Sequence, residues 1–75
     1  MLITLEDKTR ERLRRMQRTE NSVRRYIKIT ILLMMDYGMS ISEIADTVCI
    51  DEATIQSYGE LYNRTKSIGD YLHAK

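Results

Sequence analysis

Apolar residues recur along this chain at intervals of three and four, the period of an amphipathic helix. Leu5, Thr9, Leu13 and Met16 mark one narrow face of a first helix. Thr4 is its expected N-cap, Glu6 and Asp7 suit the positive end of its dipole, and it closes near Arg18. Thr19 to Ser22 is a polar break in which Asn21 or Ser22 caps a second helix, running to about Tyr37. Val23, Ile27, Ile31 and Met34 form one face of that helix, with Tyr26, Ile29 and Leu33 beside it. A stripe this broad predicts the central, most buried helix of the domain.

Gly38 supplies the left-handed residue that ends many helices. Ser40 with Glu43 predicts a capping box for a short third helix, roughly Ile41 to Val48. Asp51 is the expected N-cap of a fourth, roughly Glu52 to Arg64, with Ile55, Tyr58, Leu61 and Tyr62 on its inner face. In the tail, residues 66–75, Ser67 and Asp70 repeat the cap pattern and Ile68, Tyr71 and Leu72 are placed to dock. With no proline and three glycines, the expectation is all-α: one domain over residues 1–75, a small bundle of four to five helices.

Residues 40–59 carry the most specific pattern. Ile44 and Val48 point inward from the third helix, Ile50 plugs the turn, and Ile55 and Tyr58 return from the fourth. Ala45 sits where two crossing helices must approach closely. That is the register of a helix-turn-helix within a homeodomain-like bundle, a unit that places its second helix in the major groove of DNA.

Composition narrows the alternatives. The chain has 75 residues and a 43% hydrophobic share, enough for one small core. Its longest apolar run, Ile31 to Met35, falls far short of the ~20 residues that span a bilayer, so no membrane role is expected. The opening residues lack the basic-then-apolar pattern of a signal peptide, and the single cysteine, Cys49, forms no internal disulfide and is too few for a structural zinc site. A cytoplasmic location is the expectation. No cofactor or metal is called for, and no phosphate-binding glycine loop or paired catalytic carboxylates stand out, so no enzyme activity or small-molecule substrate is expected. His73 has no partner in the sequence for catalysis, and Met34, Met35 and Met39 read as core filler.

The net charge of +1 is uninformative, but its distribution is not. Up to Lys28 nine basic residues stand against four acidic ones, and from Ile29 onward three stand against seven. A phosphate backbone would meet the N-terminal half first.

Taken together, the flanks and the motif resemble the N-terminal DNA-binding domain of mariner-like bacterial insertion-sequence transposases, over nearly the whole chain. Ile3-Thr4-Leu5-Glu6 with Arg10 to Leu13 is similar to that family's opening helix. Val23-Arg24-Arg25 through Ile31-Leu32-Leu33, then Tyr37-Gly38-Met39-Ser40, resembles its arginine-led helix and Gly-apolar-Ser turn. Glu43-Ile44-Ala45 and Thr54-Ile55 are similar to its helix-turn-helix core. The resemblance implies recognition of the ends of a mobile element, without the acidic-triad domain that cuts and joins DNA. Cys49 replaces the family's usual turn glycine and Tyr58 its usual Trp, while Asp51, Glu52 and Ala53 stand where Ser and basic residues are favoured.

Double-stranded DNA is therefore the expected partner. Gln56 suits adenine, Ala53 a thymine methyl, and Ser57 base or phosphate. Ser40 and Ser42 at a helix start, with Arg24, Arg25, Lys28 and Arg64, suit backbone phosphates, and Thr54 completes the candidate contacts. The competing expectation is a protein-interaction module: an acidic fourth helix turned to another protein, including a second copy in a homodimer.

Overall fold

A computed structural model of the chain describes residues 3–74. They form five helices: α1 (Asp7–Thr19), α2 (Val23–Asp36), α3 (Ile41–Val48), α4 (Glu52–Thr65) and α5 (Ile68–His73). No strand occurs among the described residues, so the fold is an all-α bundle. α2 is its hub. It packs against each of the other four, α3 and α5 also meet α4, and α1 leans on α2 alone.

The centre of the bundle is built from Leu13, Ile29, Ile31, Leu32, Ile44 and Ile55, all fully buried, and Tyr71 joins them from α5. On α2 the buried face is Lys28, Ile31, Leu32 and Met35, with Ile29 alongside. This is rotated from the expected stripe. Val23 is 74% exposed and Tyr26 is largely in solvent, whereas Leu32 and Lys28 point inward. The physical reason is that α2 has neighbours on most of its circumference, so no single face of the sequence pattern identifies its axis of burial. The last residue, Lys75, lies outside the described part, but the rest of the tail forms α5. There Ser67 accepts the Asp70 N–H and Ile68, Tyr71 and Leu72 are buried.

The start of α1 also differs from expectation. The helix begins at Asp7 with Glu6 as N-cap, and Glu6 makes no capping hydrogen bond through its side chain. Thr4 is exposed, and Leu5 lies before the helix rather than on its face, yet is buried. What holds this lead-in is Asp36, the last residue of α2. Its carboxylate accepts from the Leu5 backbone N–H at 2.8 Å and from the Arg10 guanidinium, which also donates to the Leu5 carbonyl at 3.0 Å and to Asp7 at 2.7 Å. The Arg10 hydrogen bonds hold the Asp36 pKa below the usual carboxylate range against the opposing effect of burial, and the same bonds raise that of Arg10.

Three helix ends carry left-handed residues, Gly38, Cys49 and, after α4, Lys66 at φ 52°. Gly38, at φ 99°, closes α2 in a Schellman motif, with Met39 N–H on the Met34 carbonyl and Gly38 N–H on that of Met35. Cys49 does the equivalent after α3 at φ 59°, with a Cβ that this conformation disfavours.

Two outcomes follow from these contacts. Asp36→Ala should destabilise the fold by about 1–3 kcal/mol in urea titrations, since it leaves the Leu5 backbone N–H without its acceptor, while Arg10 keeps Asp7 and the Leu5 carbonyl. Because the native Asp36 pKa is depressed, the clamp contributes fully above the unfolded value of ~4 and fades as pH falls through the native value, so the gap between parent and variant should close in acid. Cys49→Gly should raise stability by about 0.5–1 kcal/mol by relieving the left-handed backbone, and a fall in the urea midpoint would contradict that reading.

Candidate nucleic-acid interface

The helix-turn-helix forms because both its helices are capped by side chains and share one plug. Ser40 accepts from Glu43 N–H at 3.1 Å while Glu43 accepts from Ser40 N–H at 3.0 Å, completing the capping box of α3. Ile50 N–H then bonds the Ala45 carbonyl across a three-residue turn, Cys49 to Asp51. Asp51 caps α4, accepting from the Thr54 hydroxyl at 2.7 Å and its N–H at 3.1 Å. These bonds lower the pKa of both acids, the Ser40 N–H chiefly for Glu43 and the Thr54 hydroxyl chiefly for Asp51. Ile44, Ala45 and Ile55 are buried at the crossing, with Val48, Ile50 and Tyr58 packed against them.

α4 buries Ile55 and Gly59 and leaves the opposite side open. Ala53, Ser57, Glu60 and Arg64, spaced four, three and four apart, form one exposed stripe along its length. Glu52 and Gln56 flank it, and the Gln56 amide lies 3.5 Å from Glu60, a contact weak enough to leave the amide available. The stripe runs into a cleft of about 280 Å³ between α4 and the start of α2. Arg24, Lys28, Ser57 and Arg64 line it together with Glu60 and Ala74. Four of the residues singled out from sequence, on two helices, thus meet in one place.

The remaining candidates are placed differently. Ser40 and Ser42 are exposed at the start of α3, free of the cleft. Thr54 is half-buried with its hydroxyl engaged by Asp51. Glu20 accepts from the Ser22 N–H, which chiefly lowers its pKa, and from Arg25 at 3.0 Å, a pairing that accounts for a cation in the first turn of α2. Arg24 and Arg64 make no ion pair among the described residues. On α1, Arg14, Arg15 and Arg18 share only an open surface hollow with Glu11.

Lys28 is the residue whose setting sequence reasoning missed. It is 1% exposed, and its ammonium lies 5.1 Å from the centre of the Tyr58 ring and 4.8 Å from that of Tyr71. It donates to the Tyr71 carbonyl, while the Tyr71 hydroxyl donates to the Lys28 carbonyl at 2.7 Å. Tyr71 also meets Tyr58 and Tyr62 edge-on, at 6.2 and 6.0 Å between ring centres. Burial, and secondarily the nearby Arg24 charge, push the Lys28 pKa down. The signal was present in the sequence, because Lys28 falls in helical register with Ile31, Leu32 and Met35 on the apolar side of α2.

Compared with protein-family models, curated proteins and solved structures, the chain matches none. The reading of the site therefore rests on its own geometry. Among the described residues no helix is long and apolar enough to cross a membrane, and no group of three or more His, Cys, Asp and Glu is arranged to hold a metal.

Lys28→Met should preserve the fold, since the cage accepts an apolar chain of similar length. A depressed native pKa means that the unfolded chain binds more protons up to its own value of ~10.4. The parent's unfolding free energy should therefore rise relative to that of Lys28→Met as pH is taken from 7 towards 10. Parallel pH profiles in urea titrations would show that the ammonium is not penalised in the folded state.

Proposed function

We propose that this chain is a DNA-binding module of helix-turn-helix type, in which α4 enters the major groove of a duplex. The observation that carries this reading is the two-sidedness of α4: one side closes the core, and the other presents a side-chain stripe that ends at Arg64, which lines a cleft with Arg24; neither makes an ion pair among the described residues. Ala53, Gln56 and Ser57 are its base-reading candidates, with Gln56 bidentate to adenine and Ala53 against a thymine methyl. Glu52 and Glu60 accept from cytosine amino groups and repel phosphates, so they sharpen selectivity while lowering affinity.

Affinity then comes from the backbone contacts of Ser40, Ser42, Arg24 and Arg64 on either side of the groove. The resemblance to transposase N-terminal domains agrees with this role, and either a transposase-like protein or a transcriptional regulator would use it.

Binding to short duplexes measured across a salt series should weaken with a log–log slope of about −0.9 for each phosphate neutralised. Gln56→Ala should cost about 1–3 kcal/mol of discrimination at one base position and leave the salt slope unchanged. Absence of salt-dependent duplex binding, alongside a salt-sensitive dimer in sedimentation, would replace this reading with self-association. The exposed acids Asp46, Glu52 and Glu60 would then face the arginines of α1 on a second copy.

A further inference from the structure

We propose that the cleft between α2 and α4 is a phosphate-binding site, formed by Arg24, Lys28, Ser57 and Arg64. The inference deepens the DNA reading and rests on it only for the source of the phosphate.

Lys28 is the residue that sets this cleft apart from the other basic surfaces of the molecule. A lysine withdrawn from water ordinarily has a carboxylate beside it, because an uncompensated buried charge is costly. Here no carboxylate is paired with it among the described residues; its partners are one carbonyl and two aromatic faces. An ammonium has three N–H donors, and one is used on the Tyr71 carbonyl. The side chain lines the cleft, where Arg24 and Arg64 stand without ion pairs and Ser57 adds a hydroxyl. Three cationic residues thus line a space with one acid, Glu60, on its wall, Lys28 from its buried side.

The volume of about 280 Å³ accommodates a phosphate with several waters, each occupying ~30 Å³ in the liquid. Two guanidinium forks and a fixed point charge match the oxygens of a phosphate. The hollow on α1 also gathers three arginines against one acid, but all of them are exposed and none is fixed by burial.

The position of the cleft supports the same chemistry. Ser57, Glu60 and Arg64 belong both to its wall and to the exposed stripe of α4. A strand whose bases met Ala53 and Gln56 would bring a backbone phosphate towards it. The same oxygens are also carried by a free phosphate ion or phosphomonoester, and the two sources are separable.

The test is an NMR titration of the full chain with inorganic phosphate, in parallel with duplex-binding assays. Saturable shifts confined to residues 24, 28, 57 and 64 are expected, and Arg24→Ala and Arg64→Ala should each weaken phosphate binding by about tenfold. Arg14→Ala combined with Arg15→Ala should leave it unchanged. Lys28→Met should weaken it similarly, and because the two arginines are exposed, their variants keep the proposal falsifiable if the lysine variant fails to fold.

A parallel tenfold loss of duplex affinity in the Arg24 and Arg64 variants assigns the phosphate to the DNA backbone. Phosphate binding with duplex affinity unaffected by these variants retains the site and assigns it to a free phosphate. Small shifts spread over all basic residues and insensitive to Arg24→Ala overturn the site, and do so even where duplex binding itself is intact.

Discussion

The reciprocal bond between Lys28 and Tyr71 is the interaction on which the corner formed by α2, α4 and α5 depends. Each residue gives its side-chain donor to the other's backbone carbonyl across a separation of 43 residues in sequence. Neither half makes sense alone. Without the phenol and the ring of Tyr71, Lys28 would be a buried ammonium against an apolar wall; without Lys28, the Tyr71 carbonyl would lose the donor that meets it inside the core. A six-residue helix is too short to hold itself together in water, so α5 exists because it docks. By docking it sets Tyr71 against Tyr58 and Tyr62 of α4, and this aromatic contact joins α2, α4 and α5 into one rigid corner.

The opposite end of α2 is held by a different means. Asp36 ties the α1 lead-in through a backbone N–H and a guanidinium, so the chain's first described residues are fixed by polar geometry as well as by burial of Ile3 and Leu5. α1 contacts α2 alone among the helices, through the buried Leu13, a Gln17–Thr30 hydrogen bond and this clamp. The helix-turn-helix sits between the two ends and is fixed by its own caps. The Lys28–Tyr71 corner and the caps of the helix-turn-helix thus position α4, and neither uses the side chains that α4 shows to solvent.

Those parts of the fold that depend on residues near in sequence were legible before the structure. The capping box at Ser40 and Glu43, the caps at Ser22, Asp51 and Ser67, and the glycine stop at Gly38 each involve groups within a few residues of one another. What was not legible depends on distant partners. Leu5 fits the spacing of an α1 face, but Asp36, which lies 31 residues away, holds it outside the helix. Lys28 falls on the apolar side of α2 by its register, but the rings of Tyr58 and Tyr71 and the Tyr71 carbonyl that receive its ammonium come from α4 and α5. One ion pair, Arg10 with Asp36, joins the basic and acidic halves of the chain, whereas Arg25 and Glu20 pair within the basic half.

The same distinction bears on the acidic start of α4, which argued most strongly from sequence against a DNA-reading helix. Asp51 is committed to the α4 cap through two bonds to Thr54, and Glu43 to the α3 cap, so these carboxylates serve local structure. The acids that do face outward on α4 are Glu52 and Glu60. Glu60 lines the same cleft as Arg24, Lys28 and Arg64. Over a Debye length of ~8 Å in physiological salt, such local arrangement outweighs the total charge of a segment. The cleft thus carries the cations of two helices, and the outward acidity of α4 that no cation of the cleft adjoins is at its other end, at Glu52.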